Sequence, residues 1–157
     1  MLQRIQSLFL AIVGISMGIF VVLPIWNKTA TDQSQTVVLN ALRLVHKQGI
    51  TESITPVWYI AVLAVVVAGV AFFALFQYKN RLLQSGVCAL NSILMTVLMA
   101  LVMYFVFGKA QDFFDPTLQG HFDFGFYALV TALLSNVLAN RFIRRDEKFV
   151  RAQDRMR

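Results

Sequence analysis

The side chains of this sequence that could do chemistry within a membrane are neutral amides and hydroxyls. Asn91, Asn136 and Asn140 lie within long apolar segments, and Ser92 and Thr96 follow closely on the first of them. Because an amide surrounded by lipid must find a hydrogen-bonding partner, we expect these side chains to point inward and join helices. The competing interpretation is a small polar cavity for a lipid headgroup or a quinone-like ligand.

A second candidate is the basic C-terminal segment, which follows directly on an apolar stretch. Two interpretations of this segment are open: a tail that binds anionic lipid through its cations, or a docking segment for a cytoplasmic or membrane protein partner. The acidic residues mixed among the basic ones are more typical of specific pairing than of a purely polybasic lipid anchor. The candidate interaction residues are Arg141, Arg144, Arg145, Lys148, Arg151 and Arg155.

Residue patterns typical of enzymes and metal sites are missing from the sequence. His46 and His121 fall in polar loops, and they would have to converge with loop carboxylates such as Asp112 and Asp115 to bind a metal ion. There is no Gly-rich phosphate loop, nucleophile elbow or paired-cysteine spacing, and the only cysteine is Cys88. The sequence therefore predicts that the protein is not an enzyme and has no catalytic, cofactor-binding or metal-binding residues.

Four long apolar blocks must position these candidates. The chain has 157 residues, of which 58% are hydrophobic, and this exceeds the usual content of a soluble domain. Each block is long enough to cross roughly 30 Å of hydrocarbon, so we predict one membrane domain. The predicted spans are about 7–26, 57–78, 83–108 and 124–143, with exterior loops 27–56 and 109–123 and a tail at 144–157.

The placement of basic residues predicts the orientation of the chain. Of the fourteen lysines and arginines, ten flank the spans on the side of the termini, and four fall in the predicted exterior loops. The positive-inside rule then puts both termini in the cytoplasm. Because the basic residues flank apolar blocks, the net charge of +6 indicates membrane lipids rather than nucleic acid as the partner. The sequence does not determine the oligomeric state.

The first exterior loop is the one long polar interval. Thr36–His46 and the β-branched segment Ile50–Thr55 flank a turn at Gly49, and this pattern predicts a two-stranded hairpin. The competing interpretation is an interfacial helix with Val38, Ala41, Leu42 and Val45 on one face. We predict an all-α integral membrane fold: a four-span antiparallel helical bundle with a small exterior, periplasmic cap, formed by a β-hairpin from loop one.

Three segments of the chain resemble a known family. Met1–Ser7 is similar to its MIQRIQT start, Asn80–Gln84 with Cys88–Asn91 to its NRxLQxxLCxLN segment, and Leu138–Arg157 to its LANRxIxKDExLVRSxDRxR ending. The family is the uncharacterised bacterial membrane family called domain of unknown function 4293. The resemblance extends over the whole chain and implies a four-span inner-membrane protein, but it supplies no activity, ligand or partner.

Two functions are compatible with these features. The first is a non-catalytic accessory or scaffold subunit of the inner membrane that acts through its spans and its basic tail. The alternative is a binder or carrier of a lipid or other hydrophobic small molecule within the bundle. The lack of ionisable residues inside the spans favours the first, because ion-coupled transporters place such residues at membrane depth. A roomy cavity would favour the second.

Overall fold

Four helices account for most of the chain in the computed structural model, which describes residues 2–31, 34–77, 80–111, 113 and 118–154. They are α1 (Leu2–Val22), α2 (Trp58–Phe76), α3 (Arg81–Phe105) and α4 (Phe124–Asp154), and a π-helical turn, Val106–Ala110, continues α3. All four are long and apolar enough to cross a membrane, by length and composition. The chain is therefore consistent with a multi-pass membrane protein.

The helices pack in a ring: each contacts the next along the chain, and α1 closes the ring against α4. Their buried residues recur every three or four positions, which is the spacing of left-handed helix packing. These stripes are Gln6, Leu10, Val13, Met17 and Phe20 on α1; Ile60, Ala64, Val67, Ala71 and Ala74 on α2; Gln84, Cys88, Asn91, Met95, Leu98, Val102 and Phe105 on α3; and Leu129, Ala132, Asn136, Ala139, Ile143 and Asp146 on α4.

A five-stranded antiparallel sheet lies at the end of the bundle where α1 ends and α2 begins. Its strands are β1 (Trp26–Thr29), β2 (Gln35–Leu39), β3 (Arg43–Gln48), β4 (Thr51–Pro56) and β5 (His121–Phe122), in the order β4-β3-β2-β1-β5. The turn between β3 and β4 places Gly49 at a φ of 58°, a left-handed conformation that favours glycine. The second loop thus contributes an edge strand to a sheet built by the first.

The sheet makes the predicted all-α class wrong. The predicted turn at Gly49 and the strand after it exist in the hairpin of β3 and β4, but Thr36–His46 is divided between β2 and β3 within a five-stranded sheet. The interfacial helix is wrong. The first helix ends at Val22, so Trp26, which the sequence placed at the end of span one, begins a strand instead. Because β1 has only four residues and β5 only two, their own residues carry almost no strand signal.

One face of the sheet extends the helical core. Trp26 on β1 pairs with Leu39 on β2 and with Phe122 on β5, and Leu39 pairs in turn with Leu44 on β3. The buried members of this row belong to one apolar cluster that also contains residues from all four helices. Val57, just before α2, is part of the same cluster. The sheet is therefore attached to the bundle through a continuous apolar core.

Gly125 permits a close approach between α4 and the connection that follows α1. Its backbone N–H donates a hydrogen bond to the Pro24 carbonyl oxygen at 2.9 Å. A Cβ atom at residue 125 would lie 2.6 Å from that oxygen and 2.9 Å from the carbonyl oxygen of Leu23. Both oxygens belong to the backbone and cannot rotate away, so only glycine fits without a shift of the chain.

We expect Gly125→Ala to lower the free energy of unfolding by about 1–3 kcal/mol, because the added methyl group forces backbone movement. The matched control is Gly69→Ala in the exposed part of α2, where an added Cβ meets no atom within 4 Å. That change should be neutral or stabilising by up to about 1 kcal/mol, from helix propensity. Thermal unfolding in detergent checks both variants, and equal melting temperatures would contradict the role of Gly125.

Candidate interaction site

Asn136 is the centre of a buried hydrogen-bond network between α3 and α4. Its Nδ2 group donates to the Cys88 carbonyl oxygen at 2.9 Å and to the Ser92 hydroxyl oxygen at 2.8 Å. Its Oδ1 atom accepts a longer bond, at 3.4 Å, from the Nδ2 group of Asn91. Asn136 itself is fully buried, so the network fixes the rotation of α4 relative to α3.

Asn140, one turn further along α4, makes a separate interhelical bond. Its Oδ1 atom accepts a hydrogen bond from the Ser85 hydroxyl group at 3.1 Å. The structure thus places two of the three predicted asparagines, Asn91 and Asn136, in contact, and gives the third its own partner on α3. In all three cases the side chain bridges the same pair of helices.

Asn91 contributes less to this network than Asn136 does. Its Oδ1 atom is buried and has no hydrogen-bond partner among the residues that the structure describes. A buried polar atom without a partner costs about 1–3 kcal/mol, and this offsets the one long bond that Asn91 makes. The structure therefore ranks the asparagines unequally, although their sequence contexts look alike.

We expect Asn136→Leu to lower the stability of the bundle by about 1–2 kcal/mol, because it removes three interhelical hydrogen bonds of about 0.6 kcal/mol each. Asn91→Leu should change stability by less than about 0.5 kcal/mol, since a weak bond and an unsatisfied oxygen are removed together. Unfolding in mixed micelles measures both. A loss from Asn91→Leu equal to that from Asn136→Leu would show that this ranking is wrong.

The basic end of α4 is only partly described. The helix runs without a break to Asp154, and Arg141, Arg144 and Arg145 have exposed side chains. The side chains of Lys148 and Arg151, and all of Arg155, lie outside the described residues. Three of the six predicted interaction residues can thus be placed, and they lie near the end of the candidate membrane span.

A hydrogen bond that the sequence did not predict joins this end of α4 to α1. The Gln6 Nε2 group donates a hydrogen bond to the Asp146 Oδ2 atom at 2.8 Å, and both side chains are buried. Phe9 and Phe142 stack beside them, with ring centroids 5.7 Å apart. The spacing of the two residues could have predicted this contact, because Gln6 and Asp146 continue the buried stripes of their helices.

A surface groove of about 290 Å³ lies beside α4 near this end. It is lined by Ser92, Val137, Asn140, Arg141 and Arg144. The described lining thus combines two guanidinium groups, an amide, a hydroxyl and one apolar side chain, with no carboxylate. Such a wall is suited to an anion rather than a cation.

At the opposite end of the molecule, Lys28 fixes the second loop to the sheet. Its side chain is fully buried, and its Nζ group donates to the carbonyl oxygens of Gln111 at 2.8 Å and Phe113 at 3.3 Å. The strand register puts Lys28, Val37 and His46 in one row, and the Phe113 ring lies 4.6 Å from the His46 ring. The segment after α3 is therefore held over the middle of the sheet.

Sequence reasoning treated Lys28 only as an exterior positive charge. A strand alternates the direction of its side chains, so Lys28 shares the buried face of Trp26, two residues earlier. Recognition of 26–29 as a strand would have revealed a lysine on an apolar face. A buried ammonium group needs hydrogen-bond acceptors, and the nearby carbonyl groups supply them.

The two histidines are not brought together. His46 is on β3 and His121 is on β5, and two strands separate them in the sheet. At about 4.8 Å per strand the two positions are about 14 Å apart, which is too far for one metal ion. Among the described residues, no group of three His, Cys, Asp or Glu side chains could hold a metal ion, and Asp112 and Asp115 lie outside that set.

We expect Lys28→Met to loosen the second loop, because it removes charge-assisted bonds that are worth about 1.5–3 kcal/mol each. Hydrogen exchange should rise in 106–113 and in the sheet, while the amides of α1 and α4 stay protected. The control is Lys47→Met, which removes an exposed lysine from β3 of the same sheet. Equal exchange in both variants would contradict the anchoring role of Lys28.

Comparison with known families matches residues 2–156 to a family described as a domain of unknown function (DUF4293). A search of curated proteins finds no match. The family description names no activity, substrate or partner. Function must therefore be argued from the geometry of the chain itself.

Proposed function

We propose a function on the premise that the chain belongs to the family described as a domain of unknown function, DUF4293. The protein is a non-catalytic, multi-pass protein of the bacterial inner membrane, where it serves as an accessory or scaffold subunit. Its docking element is the basic end of α4, and the partner is a protein with an acidic surface at the cytoplasmic side of the membrane. Membrane lipids surround the remaining faces.

The observation that carries this proposal is the unbroken length of α4. At about 1.5 Å per residue, its 31 residues measure about 46 Å, whereas the hydrocarbon layer is about 30 Å thick. The candidate membrane span ends at Asp146 and the helix continues to Asp154. Lys148 and Arg151 therefore lie on a helix that extends past the span, and a helix spaces its charges in a fixed pattern that a partner can match.

The clamp between Gln6 and Asp146 supports the same proposal. Because α1 holds the last membrane-embedded turn of α4, the protruding part starts from a fixed point and a fixed direction. Pre-ordering of a docking segment lowers the entropy lost when it binds, so less of the binding energy is used to order it. A tail that only attracted lipid would gain nothing from being held in this way.

The distribution of charge supports a cytoplasmic position for the basic end. Near the sheet the chain has four basic residues: Lys28, Arg43, Lys47 and Lys109. At the opposite end, the described parts of α1, α3 and α4 carry seven basic residues: Arg4, Arg81, Arg141, Arg144, Arg145, Lys148 and Arg151. By the positive-inside rule the sheet would then face the periplasm. Lys28 increases the difference in surface charge between the two ends, because its side chain is buried and its ammonium group is hydrogen-bonded inside the protein.

The alternative, a carrier of a hydrophobic molecule within the bundle, receives less support. The buried stripes of neighbouring helices meet one another and form two apolar clusters within the bundle. The groove near Arg141 opens to the surface beside α4 and is not enclosed by all four helices.

The test is a pulldown in mild detergent, comparing the full chain with a chain that ends at Asp146. This truncation removes 147–157 but keeps the clamp to Gln6 and the groove arginines. We expect a stoichiometric protein partner that is lost at least tenfold on truncation. The charge reversals Lys148→Glu and Arg151→Glu together should have the same effect, since they oppose an acidic partner surface.

The matched control is the pair Arg43→Gln and Lys47→Gln, which removes two exposed charges from the sheet. It should retain the partner at the level of the unaltered chain. Equal recovery of the partner by full and truncated chains would refute the proposal, as would the absence of any stoichiometric protein partner from both.

A further inference from the structure

We propose that the groove lined by Ser92, Val137, Asn140, Arg141 and Arg144 binds the phosphate headgroup of an anionic phospholipid of the adjacent leaflet. At about 290 Å³ the groove is near the small end of the range of ligand pockets, a size that suits a headgroup rather than a whole lipid. Such a site operates independently of any protein partner, because none of its five residues belongs to the segment 147–157.

The arginine and amide groups of the lining residues offer hydrogen-bond donors to a ligand. Arg141 and Arg144 are exposed, carry permanent positive charge and have no acceptor atoms. The Oδ1 atom of Asn140 already accepts a hydrogen bond from Ser85, so its Nδ2 hydrogens are what it offers to a ligand. A group with several acceptor oxygens and negative charge, which is the chemistry of a phosphate, complements this set.

Ser92 forms a wall of the groove rather than a ligand contact. Its hydroxyl group donates to the Cys88 carbonyl oxygen at 3.1 Å and accepts from the Asn136 Nδ2 group at 2.8 Å. The only hydrogen of this hydroxyl is therefore committed to the interior of the bundle, and its remaining lone pair can accept but cannot bind an anion. The network that joins α3 to α4 thus also fixes the inner boundary of the groove.

The two arginines are well placed for bidentate recognition. Arg141 and Arg144 are three residues apart on α4, so their side chains lie on the same side of the helix. The planar guanidinium group pairs with two oxygens of one phosphate, a geometry that a lysine cannot reproduce. Two such groups can hold a single phosphate between them.

The depth of the groove distinguishes a lipid from a soluble phosphate. Arg141 and Arg144 lie in the last two turns of the apolar stretch, which ends at Asp146. Val137 lines the groove one turn closer to the middle of the membrane, and Leu134 is exposed below it. An acyl chain that follows the headgroup would run along this apolar face, whereas free phosphate would contact only the polar end.

Native mass spectrometry of the full chain in detergent measures the binding directly, with phosphatidylglycerol as the probe. We expect Arg141→Gln with Arg144→Gln to weaken binding by roughly 30-fold, since the charge-assisted bonds between the two guanidinium groups and the phosphate are lost. Val137→Phe should also weaken binding without changing the charge, because it fills the groove. Melting temperatures of all variants are recorded with these measurements, so that misfolding is recognised.

The matched control is Arg145→Gln with Lys148→Gln, which removes the same charge from the same end of α4 while keeping all five described lining residues of the groove. It should weaken binding by less than about fivefold, because only the attraction between separated charges is lost, and salt screens such attraction. Equal loss from the two double variants would overturn the site and leave only general attraction to a basic end.

Two further probes separate the sources of the phosphate chemistry. Phosphatidylcholine, whose net charge is zero, should bind at least tenfold more weakly than phosphatidylglycerol, and equal binding would overturn the assignment to an anionic lipid. Inorganic phosphate should not displace the lipid, and full displacement at equal concentration would overturn the role of the acyl chain. The chain that ends at Asp146 should still bind lipid, so failure of the partner proposal is distinguishable from failure of this one.

Discussion

The packing of α1 against α4 is the constraint on which the rest of the molecule depends, because it closes the ring of helices with its first and last members. At one end Gly125 lets the start of α4 approach Pro24 within hydrogen-bond distance. At the other end Gln6 and Asp146, 140 residues apart in the chain, share a buried hydrogen bond. The entropic cost of closing so large a loop rises only slowly with its length, so a few contacts at each end suffice to maintain it.

Hydrogen bonds have a larger role in this bundle than in a soluble one. Lipid chains are as apolar as leucine, so burial of an apolar face against a neighbouring helix gains little over exposure to lipid. The polar members of the buried stripes, such as Gln6 and Asn136, cannot face lipid without losing hydrogen bonds, so they must face partners on a neighbouring helix. They therefore select which face of each helix turns inward, while small and aliphatic residues of the same stripes fill the space between helices.

The two ends of the molecule have opposite characters. At the sheet end the buried Lys28 is satisfied by backbone oxygens, and the segment after α3 is fixed in place. At the other end Arg141 and Arg144 remain exposed beside a groove, and α4 continues beyond the apolar stretch. The proposed lipid site and the proposed docking segment are consecutive parts of the same helix. An anionic headgroup in the groove would therefore sit directly beneath a partner docked on the protruding end.

The sequence by itself determined the number and approximate positions of the apolar helices, the polar interval between the first two, and the turn at Gly49. These are local properties, because hydropathy, length and a left-handed glycine depend on a few adjacent residues. Only the tertiary structure decided that the interval is part of a five-stranded sheet, that Lys28 is buried, and which asparagine is the centre of the network. It also placed Arg141 and Arg144, both evident as basic residues, beside Ser92 and Asn140. Strand pairing and groove formation join residues that are distant in the chain, so local sequence does not reveal them. A lipid-facing helix surface is as apolar as a buried one, so hydrophobicity does not show which face of a helix turns inward.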